Sequence, residues 1–73
     1  MEKLWIDTSY ITLGQALKMV NLISSGGMAK WYLSENIVYL NGEEENRRGK
    51  KLYHDDVVLL PSYGKIKIQS KVK

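Results

Sequence analysis

The sequence contains no cysteine and a single histidine, His54, among its 73 residues. Disulfide bonds are therefore excluded, and a zinc site has too few sulfur and imidazole ligands. A chain of this length buries only about 60% of its unfolded surface. We therefore expect one small domain that spans residues 1–73. The lack of cysteine fits a reducing compartment.

Long apolar segments are also missing. No apolar run approaches the roughly 20 residues that cross a bilayer. The first ten residues, MEKLWIDTSY, lack the apolar core and the small-residue cleavage site of a secretion signal. We expect a cytoplasmic protein with no membrane partner. The net charge of +3 favours an anionic partner.

The residues that catalysis needs are scarce. There is no cysteine nucleophile, and one histidine supports no Ser/His/Asp set. The nucleotide-binding patterns G-x-x-x-x-G-K-[ST] and G-x-G-x-x-G are absent. His54, Asp55 and Asp56 are interpreted as a polar turn and not as a metal cluster. A chain this small has little room for a substrate pocket. We predict no enzymatic activity, no cofactor, no metal and no small-molecule substrate.

Two helices are predicted in the first half of the chain. The first covers ITLGQALKMVNLI, residues 11–23, where Thr12 and Gln15 match a capping box and apolar residues recur at helical spacing. The second covers residues 28–35, with Asn36 as a left-handed cap. The apolar face of the second helix is predicted to comprise Met28, Ala29, Tyr32 and Leu33.

Strand patterns surround the two helices. Asn41-Gly42 is a strong turn signal, whereas residues 43–51, EEENRRGKK, form a loop because seven of these nine residues are charged. The element order predicts an α+β fold with a two-helix hairpin packed on a small, mostly antiparallel β-sheet. The terminal strands could pair with each other or with a second chain. The predicted strands cover residues 4–6, 37–40, 57–60 and 65–69.

Gly26 and Gly27 lie where the second helix should begin. Either they only turn the backbone, or they leave it bare for a ligand. A helix N-terminus carries free amides and a partial positive charge, so it binds anions readily. The glycines thus mark a possible phosphate site.

Basic residues supply a second indication of an anionic partner. Lys18 and Lys30 each point away from the apolar face of their helix, and four positive charges fall within the five residues Arg47, Arg48, Gly49, Lys50 and Lys51. Like charges this close repel, so a neutralising partner is expected. That partner is either an external anion or the preceding glutamates, residues 43–45.

Two aromatic residues leave their roles open. Trp31 either stacks on a base or packs against the terminal strands, and its size favours packing. Tyr39 is expected to face opposite to Val38 and Leu40, where it also could stack or pack.

The stretch from Thr12 to Leu60 resembles the S-four RNA-binding domain, with its alpha-L motif of two helices and a following strand. The matching segments are LGQALK, SSGGMAKWYL, NIVYLNG and LYHDDVVLL. Within that family the chain is most similar to small stand-alone bacterial proteins of the YaaA type, through YITLGQALK, SGGMAKWYLSE and NRRGKKLY. The chain departs from the family pattern at the start of the first helix, where Thr12, Leu13 and Gly14 stand at the positions of arginine, leucine and aspartate. In addition, Gly26 replaces a frequent arginine, and Asp55 replaces a glycine.

The resemblance implies a non-catalytic module that binds structured RNA, either ribosomal RNA or transfer RNA, and associates with the ribosome. Backbone amides at Gly26 and Gly27 would then replace the missing arginine contact. The alternative is a protein-interaction module that uses the same basic surface on an acidic protein. The expected RNA-binding residues are Lys18, Ser25, Gly26, Gly27, Lys30, Asn41, Arg47, Arg48, Lys50 and Lys51.

Overall fold

The computed structural model describes residues 1–72, so Lys73, the last residue of the expected domain, lies outside it. The α+β class, with two helices and a mostly antiparallel sheet, is confirmed. The helices are α1, Leu13–Met19, and α2, Gly27–Glu35. The strands are β1, Glu2–Ile6; β2, Tyr10–Thr12; β3, Val38–Leu40; β4, Glu43–Glu45; β5, Lys51–Tyr53; β6, Val57–Leu60; and β7, Gly64–Ser70.

Five strands form one sheet in the order β1-β7-β6-β3-β4, and β2 and β5 form a separate two-stranded ribbon. The pairing of β1 with β7 is parallel and runs from Glu2 opposite Ile66 to Ile6 opposite Ser70. The other pairs are antiparallel. The two outermost segments of the described chain are therefore neighbours in the sheet.

The core lies between the two helices and one face of the sheet. Alternate residues of β7 point to opposite faces, so Ile66 and Ile68 are fully buried whereas Lys65 is exposed. Lys3 pairs with Lys67 and therefore lies on the same outer face as Lys65. The side chains of the core are Ile6, Ile11, Leu13, Ala16, Leu17, Ile23, Ala29, Tyr32, Leu33, Val38, Leu52, Val58, Leu60, Ile66 and Ile68.

Helix α1 begins as the sequence predicts and ends earlier. The Thr12 side chain accepts a hydrogen bond from the Gln15 amide at 3.2 Å, and the Thr12 amide donates to Oε1 of Gln15 at 2.8 Å. The capping box is confirmed. The helix stops at Met19 because Asn21, with φ of 63°, turns the chain away. The predicted continuation to residue 23 is therefore wrong, although Ile23 is buried.

Helix α2 differs from its prediction at three side chains. Met28 is 37% exposed and does not belong to the buried face. Trp31 is 58% exposed, so the expectation that it packs in the fold is wrong. Asn36 has φ of −136°, which is extended and not left-handed, and its Nδ2 donates to the Tyr32 carbonyl at 3.0 Å.

Strand β4 was predicted as part of a loop because of its charge. The Asn41-Gly42 turn brings it back antiparallel to β3, with Leu40 opposite Glu43 and Val38 opposite Glu45. It lies at the edge of the sheet. An edge strand tolerates charged side chains, which also discourage pairing with another chain.

Asp55 occupies the position where the family pattern has glycine. Its φ of 73° lies in the left-handed region, which asparagine and aspartate tolerate better than most residues. The surrounding turn at His54 and Asp55 matches the predicted polar turn. A hydrogen bond from Nε2 of Gln69, at 3.2 Å, and then the charges of His54 and Lys67 lower the pKa of Asp55.

Candidate nucleic-acid interface

The basic loop between β4 and β5 packs against the first turn of α1. The amides of Leu13 and Gly14 donate to the carbonyls of Lys50 and Arg48 at 2.8 and 2.9 Å. A side-chain carbon added at Gly14 would lie 3.4 Å from both the Arg48 carbonyl oxygen and Cβ of Ala29. Gly14 is therefore the point where α1, α2 and the loop meet.

A groove of about 360 Å³ opens beside this meeting point. We call it the helix groove. Its two charged side chains, Lys18 and Arg48, are exposed cations, and no carboxylate lines it among the described residues. The charges that line it are therefore all positive among the described residues. Its lining residues are Thr12, Gly14, Gln15, Lys18, Gly26, Ala29, Arg48 and Gly49.

The start of α2 contributes bare backbone to this groove. Within residues 1–72 no side chain caps the helix and no acidic residue lies in its first turn. The Met28 and Ala29 amides donate to the carbonyls of Ser25 and Gly26 at 3.1 and 3.2 Å, whereas no hydrogen bond joins the amide of Gly26 or Gly27 to another described group. The helix start thus offers two free donors.

Neither packing nor backbone conformation accounts for the two glycines. A side-chain carbon at Gly26 or Gly27 would meet nothing within 4 Å. Gly26 has helical angles, φ of −61° and ψ of −30°, and neither glycine has a positive φ. A turn alone would accept other residues here.

A second groove, of about 540 Å³, lies between the β3–β4 hairpin and β5. We call it the strand groove. Three cations in its wall face four carboxylates, so its charges nearly cancel. Its lining is therefore less positive than that of the helix groove. Its lining residues are Leu40, Asn41, Glu43, Glu44, Glu45, Arg47, Lys50, Lys51, Tyr53 and Asp56.

Arg47 is held by an internal partner. Its Nε lies 2.9 Å from Oε2 of Glu45, and its Nη2 lies 3.2 Å from Oε1. The hydrogen bond from the Arg47 side chain lowers the pKa of Glu45, and the same bond raises the pKa of Arg47. The interpretation that the glutamates neutralise the basic cluster thus holds for this pair.

Asn41 already uses both ends of its side-chain amide. Its Nδ2 donates to Oδ1 of Asp56 at 3.1 Å, and its Oδ1 accepts from the Val57 amide at 2.9 Å. Its φ of 52° is left-handed. The turn between β3 and β4 therefore explains this residue well.

The predicted site residues fall into three groups. Lys18, Gly26 and Arg48 meet in the helix groove. Four others line the strand groove: Asn41, Arg47, Lys50 and Lys51. Three are exposed around the start of α2, outside both grooves: Ser25, Gly27 and Lys30. Sequence reasoning overlooked Gly49, whose place between basic residues was the available signal, and Tyr53, which no pattern marked.

Two further features of the described chain concern ligands and membranes. Residues 1–72 contain no group of three histidine, aspartate or glutamate side chains placed to hold a metal ion. Neither of the two described helices has the length and apolar character needed to cross a membrane.

Comparison with known proteins gives two matches. The model of a family described as the S4 domain matches residues 4–69. A protein of Bacillus subtilis (strain 168), described as "Probable ribosome maturation protein RlbA", is 56% identical over 63 residues, which cover 86% of this chain and 89% of that relative.

Proposed function

Since the chain belongs to the S4 domain family, we propose that it is a non-catalytic module that binds structured RNA, either ribosomal or transfer RNA. The relative described as a probable ribosome maturation protein supports association with the ribosome and a cytoplasmic location. The helix groove is the observation that carries the proposal, because it gathers the cations Lys18 and Arg48 and the free amide of Gly26, with no carboxylate among the described residues that line it.

The proposed mechanism follows from the chemistry of the RNA backbone. Double-stranded RNA is recognised mainly through its shape, phosphates and 2′-hydroxyl groups. A phosphate in the helix groove would accept hydrogen bonds from Arg48, which can bind two oxygens at once, and from Lys18. The free amides at Gly26 and Gly27 would face the same phosphate or the next one.

The remaining predicted residues would extend the contact. Ser25, Gly27 and Lys30 are exposed beside Gly26 and Ala29 of the helix groove, and Lys50 and Lys51 line the strand groove. Arg47 would contribute only after its bond to Glu45 is loosened or shared.

The test is crosslinking and sequencing of RNA bound to the tagged protein in its host. The test variant carries Lys18→Glu and Arg48→Glu, both in the helix groove. The matched control carries Lys3→Glu and Lys65→Glu, both exposed on the outer face of the sheet. Both variants replace two cations by two carboxylates, so they change the net charge equally.

We expect a discrete footprint on ribosomal or transfer RNA that the control keeps and the groove variant loses, with both thermal midpoints unchanged. Equal loss in both variants would indicate only general attraction to RNA. Recovery of RNA by the wild type no better than by the groove variant would overturn the proposal. The groove would then be tested against acidic proteins.

A further inference from the structure

The ribbon of β2 and β5 has one buried face and one exposed face. Ile11 and Leu52 pair with each other and point into the core, at 8% and 0% exposure. Tyr10 pairs with Tyr53, and these rings lie on the opposite face, at 38% and 50% exposure. We call the exposed side the ribbon face; its residues are Tyr10, Thr12, Lys51 and Tyr53.

Aromatic rings and a cation are adjacent on the ribbon face. The ring centroids of Tyr10 and Tyr53 are 5.8 Å apart and their planes are inclined by 46°. The ammonium of Lys51 lies 4.9 Å from the centroid of Tyr10. Because the two rings are tilted and not stacked, they leave ring surface open to solvent.

The ribbon face is continuous with both grooves. Thr12 lines the helix groove, and Lys51 and Tyr53 line the strand groove. A strand of RNA that leaves a phosphate in the helix groove would therefore pass over the ribbon face. This position distinguishes Tyr53 from Tyr63, which lies on the turn before β7 and donates a hydrogen bond to Glu2.

We propose that the ribbon face binds an unpaired nucleotide of the RNA, with its base stacked on Tyr53 and its phosphate beside Lys51. A nucleotide combines a flat aromatic base with a negative charge, and the ribbon face presents two exposed tyrosine rings with an ammonium beside one of them, 4.9 Å from the centroid of Tyr10. Stacking platforms beside basic grooves are the general means of binding single-stranded RNA. This inference rests on the proposed function and adds that the target is a junction of paired and unpaired RNA.

The competing explanation is that the tyrosines only stabilise the ribbon, since cross-strand aromatic pairs do so. A structural role would leave the affinity independent of the bases in the RNA. The experiment therefore varies the bases and keeps the phosphates.

The probe is a synthetic RNA hairpin with a short 3′ tail, made once with adenosines and once with abasic ribonucleotides. Dissociation constants are measured by fluorescence anisotropy for the wild type, Tyr53→Phe, Tyr53→Leu and the control Tyr63→Leu. We expect the wild type to bind the adenosine tail about tenfold more tightly than the abasic tail. Tyr53→Phe and Tyr63→Leu should keep this ratio, and Tyr53→Leu should bring it close to one.

The inference is overturned if the wild type binds both tails equally, a comparison that needs no variant to fold. It is also overturned if Tyr53→Leu weakens both tails alike. If the wild type binds both tails equally and substitution of Lys18 and Arg48 still weakens hairpin binding, only this inference fails and the proposed function stands. If the wild type binds neither form of the hairpin, both this inference and the proposed function are overturned.

Discussion

Arg47 and Arg48 are adjacent in the chain but face different surroundings. Arg47 points into the strand groove and bonds to Glu45, whereas Arg48 lines the helix groove, where no carboxylate is present among the described residues. A cluster that looks uniform in the sequence thus contains one internally neutralised cation and one available cation.

Single substitutions of these arginines should therefore have opposite signatures. We expect Arg48→Ala to weaken binding of a structured RNA about tenfold, as loss of a charged hydrogen bond does, and to change the free energy of unfolding by less than about 0.5 kcal/mol. Arg47→Ala should lower the thermal midpoint and leave RNA binding nearly unchanged. Fluorescence anisotropy measures the RNA affinity, and thermal denaturation measures the stability. If both variants change affinity and stability in the same way, the two arginines do not have the separate roles assigned here.

The Glu45–Arg47 pair should also make stability depend on pH. Because hydrogen bonds from Arg47 lower the pKa of Glu45 in the folded state, the pair stabilises the fold above the unfolded pKa of about 4.3. This stabilisation is lost as the pH falls from there through the folded pKa. We expect Glu45→Gln to lose less stability than the wild type between neutral and acidic pH. Thermal midpoints across that range check this, and parallel curves for both proteins would refute it.

The sequence could not separate the two arginines. It showed the charges and the nearby glutamates, and both interpretations of the cluster were consistent with that. Which arginine bonds to Glu45 depends on the path of the loop, and this path is fixed by the hydrogen bonds from Leu13 and Gly14. Those bonds join segments more than thirty residues apart, beyond the reach of local patterns.

At the scale of elements, the end of α1 is the instructive difference. The amides of Asn21 and Leu22 donate to the carbonyls of Lys18 and Leu17, both at 3.0 Å, which is the Schellman arrangement with a left-handed residue after the cap. The apolar periodicity continued to Ile23 because that side chain is buried after the chain has turned. Apolar periodicity indicates which side chains are buried, and Ile23 is buried although it lies beyond the end of α1.

Substitutions at two asparagines test this placement of the left-handed residue. We expect Asn21→Ala to lower the free energy of unfolding by about 1 kcal/mol, whereas Asn21→Gly should not lower it because glycine adopts positive φ freely. Asn36→Gly should cost about 1 kcal/mol, since it removes the bond to the Tyr32 carbonyl. Urea denaturation measures all three, and equal effects of the two glycine substitutions would contradict the assignment.

Other elements followed from local chemistry. The capping box at Thr12 and Gln15 fixed the start of α1, and Asn41-Gly42 marked the β3–β4 turn. Strand β4 was missed because its glutamates have low strand propensity. Its pairing with β3 overrides that preference at a sheet edge.

At the scale of the molecule, the distribution of charge limits how many phosphates can be neutralised. The sequence offers six cations among the expected RNA-binding residues: Lys18, Lys30, Arg47, Arg48, Lys50 and Lys51. With Arg47 paired and the strand groove nearly balanced, we count on Lys18, Lys30 and Arg48 as the main contacts.

Salt dependence measures this count. We expect the logarithm of RNA affinity to fall with the logarithm of salt concentration with a slope of about −3. Lys18→Gln with Arg48→Gln should reduce its magnitude by about 2, and the matched Lys3→Gln with Lys65→Gln should not change it. A wild-type slope near −5 would show that the strand groove also releases counterions.

The overall class followed from the order of helices and strands, but the sheet order did not. The sequence left open whether the terminal strands pair with each other, and the parallel β1–β7 pair answers this within the described chain. This pair joins residues that are far apart in the sequence. Its formation depends on how the core packs, which local sequence patterns do not predict.

The position of β7 also matters for translation. Among the described strands β1 bonds only to β7, which lies between β1 and β6. A ribosome makes β1 first and β7 last of these strands, so the backbone of β1 stays unpaired, and Ile6 lacks its neighbour Ser70, in a nascent chain that has not passed Ser70. A product truncated before β7 keeps β1 unpaired, and an unpaired strand is a target for proteases. Only a chain that has been translated through β7 can pair β1 and lose this target.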